Sequence, residues 1–387
     1  MQSFVFHTPT EIIFGKGAEE KTGEFVKKYG GTKVLIVYGG GSVVKSGLLD
    51  RITSRLKSEN IQHMLYGGAQ PNPLLSHARE GIKTALGFGA DFILAAGGGS
   101  AIDTAKAIAH GVQNPDKDIW KFWKREAEVT QSLPVGVILT ISAAGSETSN
   151  SAVLTDADAG EKRGLTTEFN RPRFAVMNPE LTYTVPKYHV ACGIADIMMH
   201  TIDRYFTQVD GNDFTDAVAA ALVQTVVKNA PVLLSDPENY HAASEIMWCG
   251  SVSHNGITGL GRPYDFSVHG LGSGLGAKFD VSHGASLSAV WGSWAEYVLD
   301  VNPARFAKYA KEVWNVEGAE AGIARTVEFL KSIGTPTCFT ELGIGIQDER
   351  ALGEIADCSV FHGGRLIGSF KPLNKSDAFN IYKMANR

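Results

Sequence analysis

The sequence has 387 residues, more than one hydrophobic core usually serves, so we expect two domains. A formal net charge of −5, with no dense stretch of lysine and arginine, argues against nucleic acid as a partner. The four cysteines form no C-x-x-C pair, no basic leader is visible, and no apolar run reaches about 18 residues, so we expect a cytoplasmic protein without disulfides or membrane spans.

Before Pro186, short apolar runs alternate with segments of helical periodicity. The predicted buried strands include KVLIVY, DFILAA and LPVGVILTIS, and the helices between them include SGLLDRITSRLKSEN and AIDTAKAIAHGV. Continuously apolar strands are typical of a parallel sheet covered by helices on both faces. We therefore predict a Rossmann-like α/β domain over residues 1–185.

Two of these predicted strands end in glycine-rich loops, Gly39–Ser42 and Gly97–Ser100. Glycine lets backbone N–H groups approach a pyrophosphate closely, and the second loop opens a helix, whose N-terminus favours an anion. A tight turn without a ligand has the same sequence pattern. Two such loops at the carboxyl edge of one parallel sheet nevertheless favour a dinucleotide site.

The first loop also bears on which dinucleotide binds. A carboxylate commonly holds a free ribose 2′-hydroxyl, whereas here the strand is followed by glycines, Ser42 and Lys45. Without a negative charge at this point a 2′-phosphate is tolerated, so the sequence predicts NADP(H). Neither loop matches the Walker pattern or a clean G-x-G-x-x-G, so an ATPase or an ordinary Rossmann dehydrogenase is not supported.

After Pro186, apolar residues recur at three- and four-residue spacing, which predicts an all-α domain over residues 186–387. In GIADIMMHTIDRYF, Asp196 and His200 are four residues apart and share one helix face. Such a pair also occurs as an ordinary surface ion pair. The apolar neighbours here predict burial, however, and a buried carboxylate needs a partner.

His269 and His283 bracket a glycine-rich segment further along the chain. Together with Asp196 and His200 they supply one carboxylate and three imidazoles, a set that suits Fe²⁺ or Zn²⁺ and is too rich in nitrogen for Mg²⁺ or Ca²⁺. The sequence therefore predicts a divalent-metal site. The remaining histidines, His254 among them, are interpreted as surface or core residues.

Several stretches match a single family over nearly the whole chain. They include TPTEIIFGKGAEE, VLIVYGGGSVVKSGLLD, LAAGGGSAIDTAKAIA, GIADIMMHTIDRYF, FDVSHG and IGSFKPLNKSDAFNIYK. The chain thereby resembles the iron-containing (group III) alcohol dehydrogenases, most closely their NADPH-dependent butanol dehydrogenase and aldehyde reductase branch. The resemblance implies the dehydroquinate synthase-like fold, a homodimer, and hydride transfer between short-chain primary alcohols, such as butanol, and their aldehydes.

The resemblance also assigns roles to individual residues. The family's metal ligands, through which it catalyses, fall on Asp196, His200, His269 and His283. Its cofactor contacts fall on Gly39, Gly40, Ser42, Asn72, Gly97, Gly98, Gly99, Ser100, Asp103, Thr140, Ser142, Lys162 and Leu181.

The chain also departs from the family pattern. Relatives commonly carry a further histidine four residues after the first metal histidine of this segment, where this chain has Ser273, so no proton-relay role is transferred to that position. Ala144 replaces a threonine, and Asn178 replaces a common aspartate. These departures bear on substrate range more than on reaction type.

Other functions share this architecture. A zinc-dependent polyol dehydrogenase is the first alternative, and a sugar-precursor cyclase is disfavoured because few lysines and arginines lie near the metal segments. A non-catalytic nucleotide-binding protein with a purely structural metal is an alternative of a different class.

Overall fold

The computed structural model describes residues 1–387, which group into two units, His7–Val185 and Met1–Phe6 together with Pro186–Arg387. The sequence analysis assigned residues 1–6 to the first domain. In the structure they group with the helical unit, where the backbone N–H of Gln2 donates to the carbonyl of Gly261 at 2.9 Å. This long-range contact has no local sequence signal.

The first unit is an α/β domain. Its strands are β1 (Glu11–Phe14), β2 (Lys33–Tyr38), β3 (Gln62–Tyr66), β4 (Phe92–Gly97), β5 (Val135–Leu139), β6 (Ser151–Asp156), β7 (Glu161–Thr166) and β8 (Phe174–Met177). Its helices are α1 (Thr22–Lys28), α2 (Ser42–Lys45), α3 (Leu48–Ser58), α4 (Leu75–Phe88), α5 (Gly99–Gln113) and α6 (Trp120–Trp123).

Six of the strands form one parallel sheet in the order β1-β8-β5-β4-β2-β3. Every residue of β4 is buried, and alternate β4 side chains from Phe92 to Ala96 pack in one core cluster with apolar residues of α1 and α3. Burial on both faces explains the unbroken apolar runs in the sequence. The predicted parallel α/β architecture is confirmed. The antiparallel β6–β7 hairpin, which the sequence analysis did not predict, lies apart from this sheet.

The second unit is helical. Its helices are α7 (Lys187–Tyr205), α8 (Asp213–Ser235), α9 (Tyr240–His254), α10 (Ser267–Phe279), α11 (His283–Val298), α12 (Pro303–Tyr309), α13 (Ala319–Ser332), α14 (Phe339–Leu342), α15 (Glu349–Ser359) and α16 (Lys375–Ala385). A π-helical segment, Ala310–Trp314, extends α12. The predicted all-α class of this unit is confirmed.

Helix α7 is the central helix of this unit, because every residue from Ala191 to Tyr205 is buried. Its neighbours include α8, which by length and composition alone could cross a membrane. Half of the apolar window of α8 is buried inside the protein, where it packs against α7 and α9. We therefore interpret α8 as a core helix.

A buried ion cluster links α8 to the chain around α12. The carboxylate of Asp216 accepts hydrogen bonds from Arg305 and Lys308 at 2.6 Å, and also from Arg262. Asp216, Arg262 and Arg305 are almost completely inaccessible to solvent. Although burial raises the pKa of the Asp216 carboxyl, its contacts with Arg305 and Lys308 hold it well below the usual range.

Candidate metal centre and nucleotide loops

Helix α7 positions the first two predicted metal ligands. Asp196 and His200 lie one helical turn apart on the same face, and both are buried. Oδ1 of Asp196 lies 3.4 Å from Nε2 of His200. The i, i+4 spacing predicted this proximity correctly.

The other two predicted ligands lie at the beginnings of successive helices. His269 is in the first turn of α10, and His283 is the first residue of α11. Nε2 of each ring lies 3.8 Å from the same atom, Oδ1 of Asp196. Three imidazole nitrogens from three helices therefore converge on one carboxylate oxygen. Asp196, His200 and His269 are buried and lie within 4.8 Å of one another, whereas the His283 side chain is 30% exposed.

Close packing of α11 against α7 brings His283 to this position. A Cβ atom on the next residue, Gly284, would lie 1.9 Å from the carbonyl oxygen of Cys192, one turn before Asp196 on α7. On α10, a Cβ on Gly274 would lie 2.1 Å from Oγ of Ser359. The glycines between and beside the two histidines thus let α10 and α11 approach their neighbours.

Several polar atoms at this point lack hydrogen-bond partners. Oδ1 of Asp196 and Nε2 of His269 are both buried without one. Two further buried carboxylates, Asp203 and Asp265, lie near each other, and the buried guanidinium of Arg204 lies near Asp203. A buried carboxylate oxygen without a partner is costly, and a divalent cation between Asp196 and the imidazoles would offset that cost.

The pKa values of two of these imidazoles are shifted in opposite directions. Burial lowers the pKa of His269, but its contacts with Asp196 and Asp203 outweigh this effect and raise it. Burial and the neighbouring imidazoles of His254 and His269 lower the pKa of His200 well below its usual value, which favours the neutral form that binds metals.

The spacing of the donor atoms also fits a cation. Zn²⁺ binds histidine nitrogen and carboxylate oxygen at about 2.0–2.2 Å, so neighbouring ligand atoms of a tetrahedral site are about 3.4 Å apart. The contacts of 3.4 and 3.8 Å to Oδ1 of Asp196 are close to this separation. An N₃O donor set suits Fe²⁺ or Zn²⁺.

Two further residues lie at this centre and were not predicted from the sequence. Oδ2 of Asp203, on α7, lies 2.6 Å from Nδ1 of His269. Nδ1 of His254, the last residue of α9, lies 3.1 Å from Nε2 of His200, and the two rings are 4.0 Å apart. Asp203 follows His200 by three residues and was detectable by helical spacing. His254 has no such signal, because only the fold brings α9 to α7.

The two glycine loops lie at the same edge of the parallel sheet. Tyr38 of β2 pairs with Ala96 of β4, and the backbone N–H of Thr140 donates to the carbonyl of Gly97 at 3.1 Å, so the carboxyl ends of β2, β4 and β5 are adjacent. Helix α5 begins at Gly99 and has no side-chain cap. Its first backbone N–H groups can therefore bind an anion.

The structure gives different reasons for the presence of glycine at different positions of the two loops. A Cβ on Gly98 would lie 2.1 Å from Cγ2 of Ile141, so protein packing alone requires glycine there. A Cβ on Gly40 would meet no atom within 4 Å, and one on Gly99 would make only an ordinary contact, 3.5 Å from Cβ of Ala144. The open backbone at Gly40 and Gly99 is the part of each loop most suited to a ligand.

The remaining predicted cofactor residues are distributed around these loops. Nζ of Lys162, on β7, donates to Oδ1 of Asn72 at 2.8 Å. Asp103 is half-buried on α5, and its oxygens accept from Oγ of Ser146 and from the N–H of Val153. Ser100 lies in the first turn of α5, Ser142 lies beyond β5, and Leu181 packs beside the core under β2.

Comparison with known proteins extends these observations. Residues 9–179 match the family described as iron-containing alcohol dehydrogenase, and residues 190–386 match the C-terminal domain of the Fe-containing alcohol dehydrogenase family. The chain is 39% identical to NADH-dependent butanol dehydrogenase A of Clostridium acetobutylicum, over 99% of both chains. It is 34% identical to the NADPH-dependent aldehyde reductase YqhD of Escherichia coli, over 100% of both.

A solved structure shares the fold closely. The crystal structure of NADH-dependent butanol dehydrogenase A from Thermotoga maritima superposes with a TM-score of 0.96 at 32% identity, covering 100% of this chain and 99% of that one.

Proposed function

Because the chain belongs to the iron-containing alcohol dehydrogenase family, and is therefore a metal-dependent alcohol dehydrogenase or aldehyde reductase, we propose that it interconverts short-chain aldehydes and primary alcohols with NADP(H). The observation that carries the proposal is the convergence of Nε2 of His200, His269 and His283 on Oδ1 of Asp196. We propose these four side chains as the ligands of Fe²⁺ or Zn²⁺.

The proposed chemistry divides between two bound groups and the protein. When bound, the divalent cation supplies a Lewis acid for the aldehyde carbonyl, and the reduced nicotinamide supplies the hydride. Asp196 and His200 of α7, His269 of α10 and His283 of α11 would hold the cation. The N-terminus of α5 and the open backbone at Gly40 and Gly99 bind the phosphates of the dinucleotide.

Phe266 supports a small apolar substrate. Its ring centroid lies 4.9 Å from that of His269 and 6.0 Å from that of His200, so an aromatic ring borders the candidate metal centre. A short alkyl chain beside this ring would be shielded from water. The relatives named butanol dehydrogenase are consistent with a substrate of this size.

Reduction of short aldehydes tests the proposed activity directly. We expect oxidation of NADPH, followed by its absorbance, with a panel of unbranched aldehydes from two to six carbons, and we expect Fe²⁺ or Zn²⁺ to restore activity to metal-stripped protein. A panel of polyols with the oxidised cofactor serves as the comparison. Faster turnover of polyols than of butanol would favour the polyol dehydrogenase alternative, and no turnover of either class would contradict the proposal.

The loop after β2 supports NADPH over NADH. Gly39–Ser42 contains no carboxylate, and the side chain of Lys45 folds back over this loop, with Cε 3.4 Å from the position a Cβ of Gly41 would occupy. A lysine beside the loop favours a 2′-phosphate. The relatives include both NADH- and NADPH-dependent enzymes, so the loop itself carries this part of the proposal.

Substituting Gly39 tests the cofactor preference. We expect Gly39→Asp to lower the ratio of kcat/KM for NADPH to kcat/KM for NADH at least about tenfold, because a carboxylate would repel the 2′-phosphate by about 1.4 kcal/mol or more. Gly39→Asn is the matched control, since it adds the same bulk beside the carbonyl of Ala69 without charge. Equal ratios for the two variants would show that charge at this loop does not select the cofactor.

We also propose a cytoplasmic location, iron or zinc as the bound metal, and a homodimer. Four free cysteines fit a reducing, cytoplasmic location. Elemental analysis of protein purified without added metal distinguishes iron from zinc. The homodimer implied by family resemblance stays a prediction, and light scattering of the purified protein tests it.

A further inference from the structure

Behind the candidate metal centre, on the side of His269 away from Asp196, lies the carboxylate of Asp203. Oδ2 of Asp203 is 2.6 Å from Nδ1 of His269, and Asp203 is completely buried. Its other oxygen, Oδ1, has no hydrogen-bond partner. Burying a carboxylate that makes one short contact, to an imidazole, costs free energy. This cost points to a role for the contact.

The contact determines which nitrogen of His269 carries hydrogen. An ionised carboxylate only accepts hydrogen bonds, so Nδ1 must donate to Asp203. In the neutral ring, Nε2 then keeps its lone pair. Nε2 is the atom that lies 3.8 Å from Oδ1 of Asp196 and has no hydrogen-bond partner of its own. Asp203 thus selects the tautomer that a metal ligand requires at Nε2.

Asp203 also fixes the position of the helix that carries His269. Its backbone carbonyl accepts from the N–H of Asp265 at 2.9 Å, just before α10. Asp265 in turn accepts at 3.1 Å from the N–H of Ser267, and at 2.7–2.8 Å from the N–H groups of Ser369 and Phe370. Both the main chain and the side chain of Asp203 therefore hold the beginning of α10 against α7.

Asp203 therefore lies on the same helix as two proposed ligands and also contacts a third. Asp196 and His200 offer their ligand atoms directly. Asp203 lies on the same helix, two turns after Asp196 and one turn after His200, and contacts Nδ1 of the third proposed ligand, His269. Oδ2 of Asp203 accepts from the backbone N–H of His269 at 3.4 Å and contacts Nδ1 of its ring at 2.6 Å, so Asp203 acts on the site through His269 and α10.

We propose that Asp203 is a positioning residue of the metal centre, which holds Nδ1–H of His269 and so directs Nε2 of that ring toward the cation. The proposal rests on the metal site proposed above. Carboxylates that hold a metal-binding histidine in this way increase metal affinity by about 10–100-fold. Asp203 would touch neither substrate nor cofactor.

Cobalt binding tests this role without measuring turnover. The full-length protein is stripped of metal and titrated with Co²⁺, an N/O-binding divalent ion with a visible absorption spectrum, in competition with a chelator. We expect Asp203→Ala to weaken Co²⁺ binding about 10–100-fold and to alter the spectrum. Asp203→Asn should bind with intermediate affinity, because its amide oxygen still accepts from Nδ1–H but carries no charge.

A second aspartate–histidine pair provides the matched control. Oδ2 of Asp357 lies 2.8 Å from Nδ1 of His362, an exposed pair outside the centre. We expect Asp357→Asn to bind Co²⁺ like the unsubstituted protein. Asp196→Ala is included because it removes a proposed ligand and should abolish tight binding.

Thermal unfolding separates positioning from a purely structural role. In the metal-free protein, Asp203→Asn keeps the size of the side chain and an acceptor for Nδ1–H of His269, and it buries no carboxylate, so its melting temperature should be no lower than that of the unsubstituted protein. The increase in melting temperature on adding Co²⁺ should be smaller for this variant.

Two results would contradict the proposals, and they differ. If Asp196→Ala weakens binding but Asp203→Ala binds Co²⁺ with unchanged affinity and spectrum, the positioning role is wrong and the metal site stands. If Asp196→Ala also binds as before, the metal site itself is wrong.

Discussion

Asp196→Ala is expected to lower kcat for aldehyde reduction by at least about 10³-fold, while the Kd for NADPH changes less than about threefold. Oδ1 of Asp196 lies within 4 Å of the Nε2 atoms of all three histidines, so its removal takes away a ligand that contacts each of the others. Lewis-acid activation is worth several kcal/mol, and about 4 kcal/mol corresponds to 10³-fold in rate. The measurements are steady-state turnover, metal content, and NADPH fluorescence titration.

The control for this prediction lies on the same helix. His189 is exposed in the first turn of α7, two turns from Asp196, and His189→Ala should keep full activity and metal content. Chelation of the unsubstituted protein should reproduce the effect of Asp196→Ala, and added Fe²⁺ or Zn²⁺ should reverse it. Normal turnover by thoroughly metal-free protein would rule out the Lewis-acid step.

Asp216→Ala is expected to reduce the free energy of unfolding by about 3–5 kcal/mol. The substitution removes the acceptor shared by Arg262, Arg305 and Lys308, and leaves two guanidinium groups buried without their carboxylate. Urea unfolding followed by far-ultraviolet circular dichroism, with and without the substitution, measures the loss.

Asp213 offers the comparison for this stability prediction. It lies on the same helix, its side chain is 95% exposed, and it is 3.9 Å from Nζ of Lys308. An exposed pair of this kind contributes little, so Asp213→Ala should change stability by less than about 1 kcal/mol. If both variants lost a similar free energy of unfolding, burial of the ion cluster would not determine how much the cluster contributes to stability.

The sequence predicted those features that depend on local spacing. Asp196 and His200 were predicted to share a helix face, and the unbroken apolar run of β4 was predicted as a strand buried on both faces. Both follow from the repeat of a single element, which is visible in one stretch of sequence. The glycine loops were placed at one sheet edge by the same reasoning.

Other features depend on contacts between distant segments. The position of His254 against His200 requires α9 to pack beside α7, and the grouping of residues 1–6 with the helical unit depends on Gly261. Neither contact has a periodic signal. Asp203 is different, because its helical spacing from His200 is visible in the sequence, but spacing alone does not distinguish an acid that binds the metal from one that holds a metal-binding histidine.

The continuity of the α/β unit in sequence has a consequence for biosynthesis. His7–Val185 is an uninterrupted segment, and all four proposed metal ligands lie after it, between residues 196 and 283. Domains generally fold as units while the ribosome is still translating, at about 5–20 residues per second. A nascent chain could thus capture its dinucleotide several seconds before the last histidine that would hold the metal has been translated.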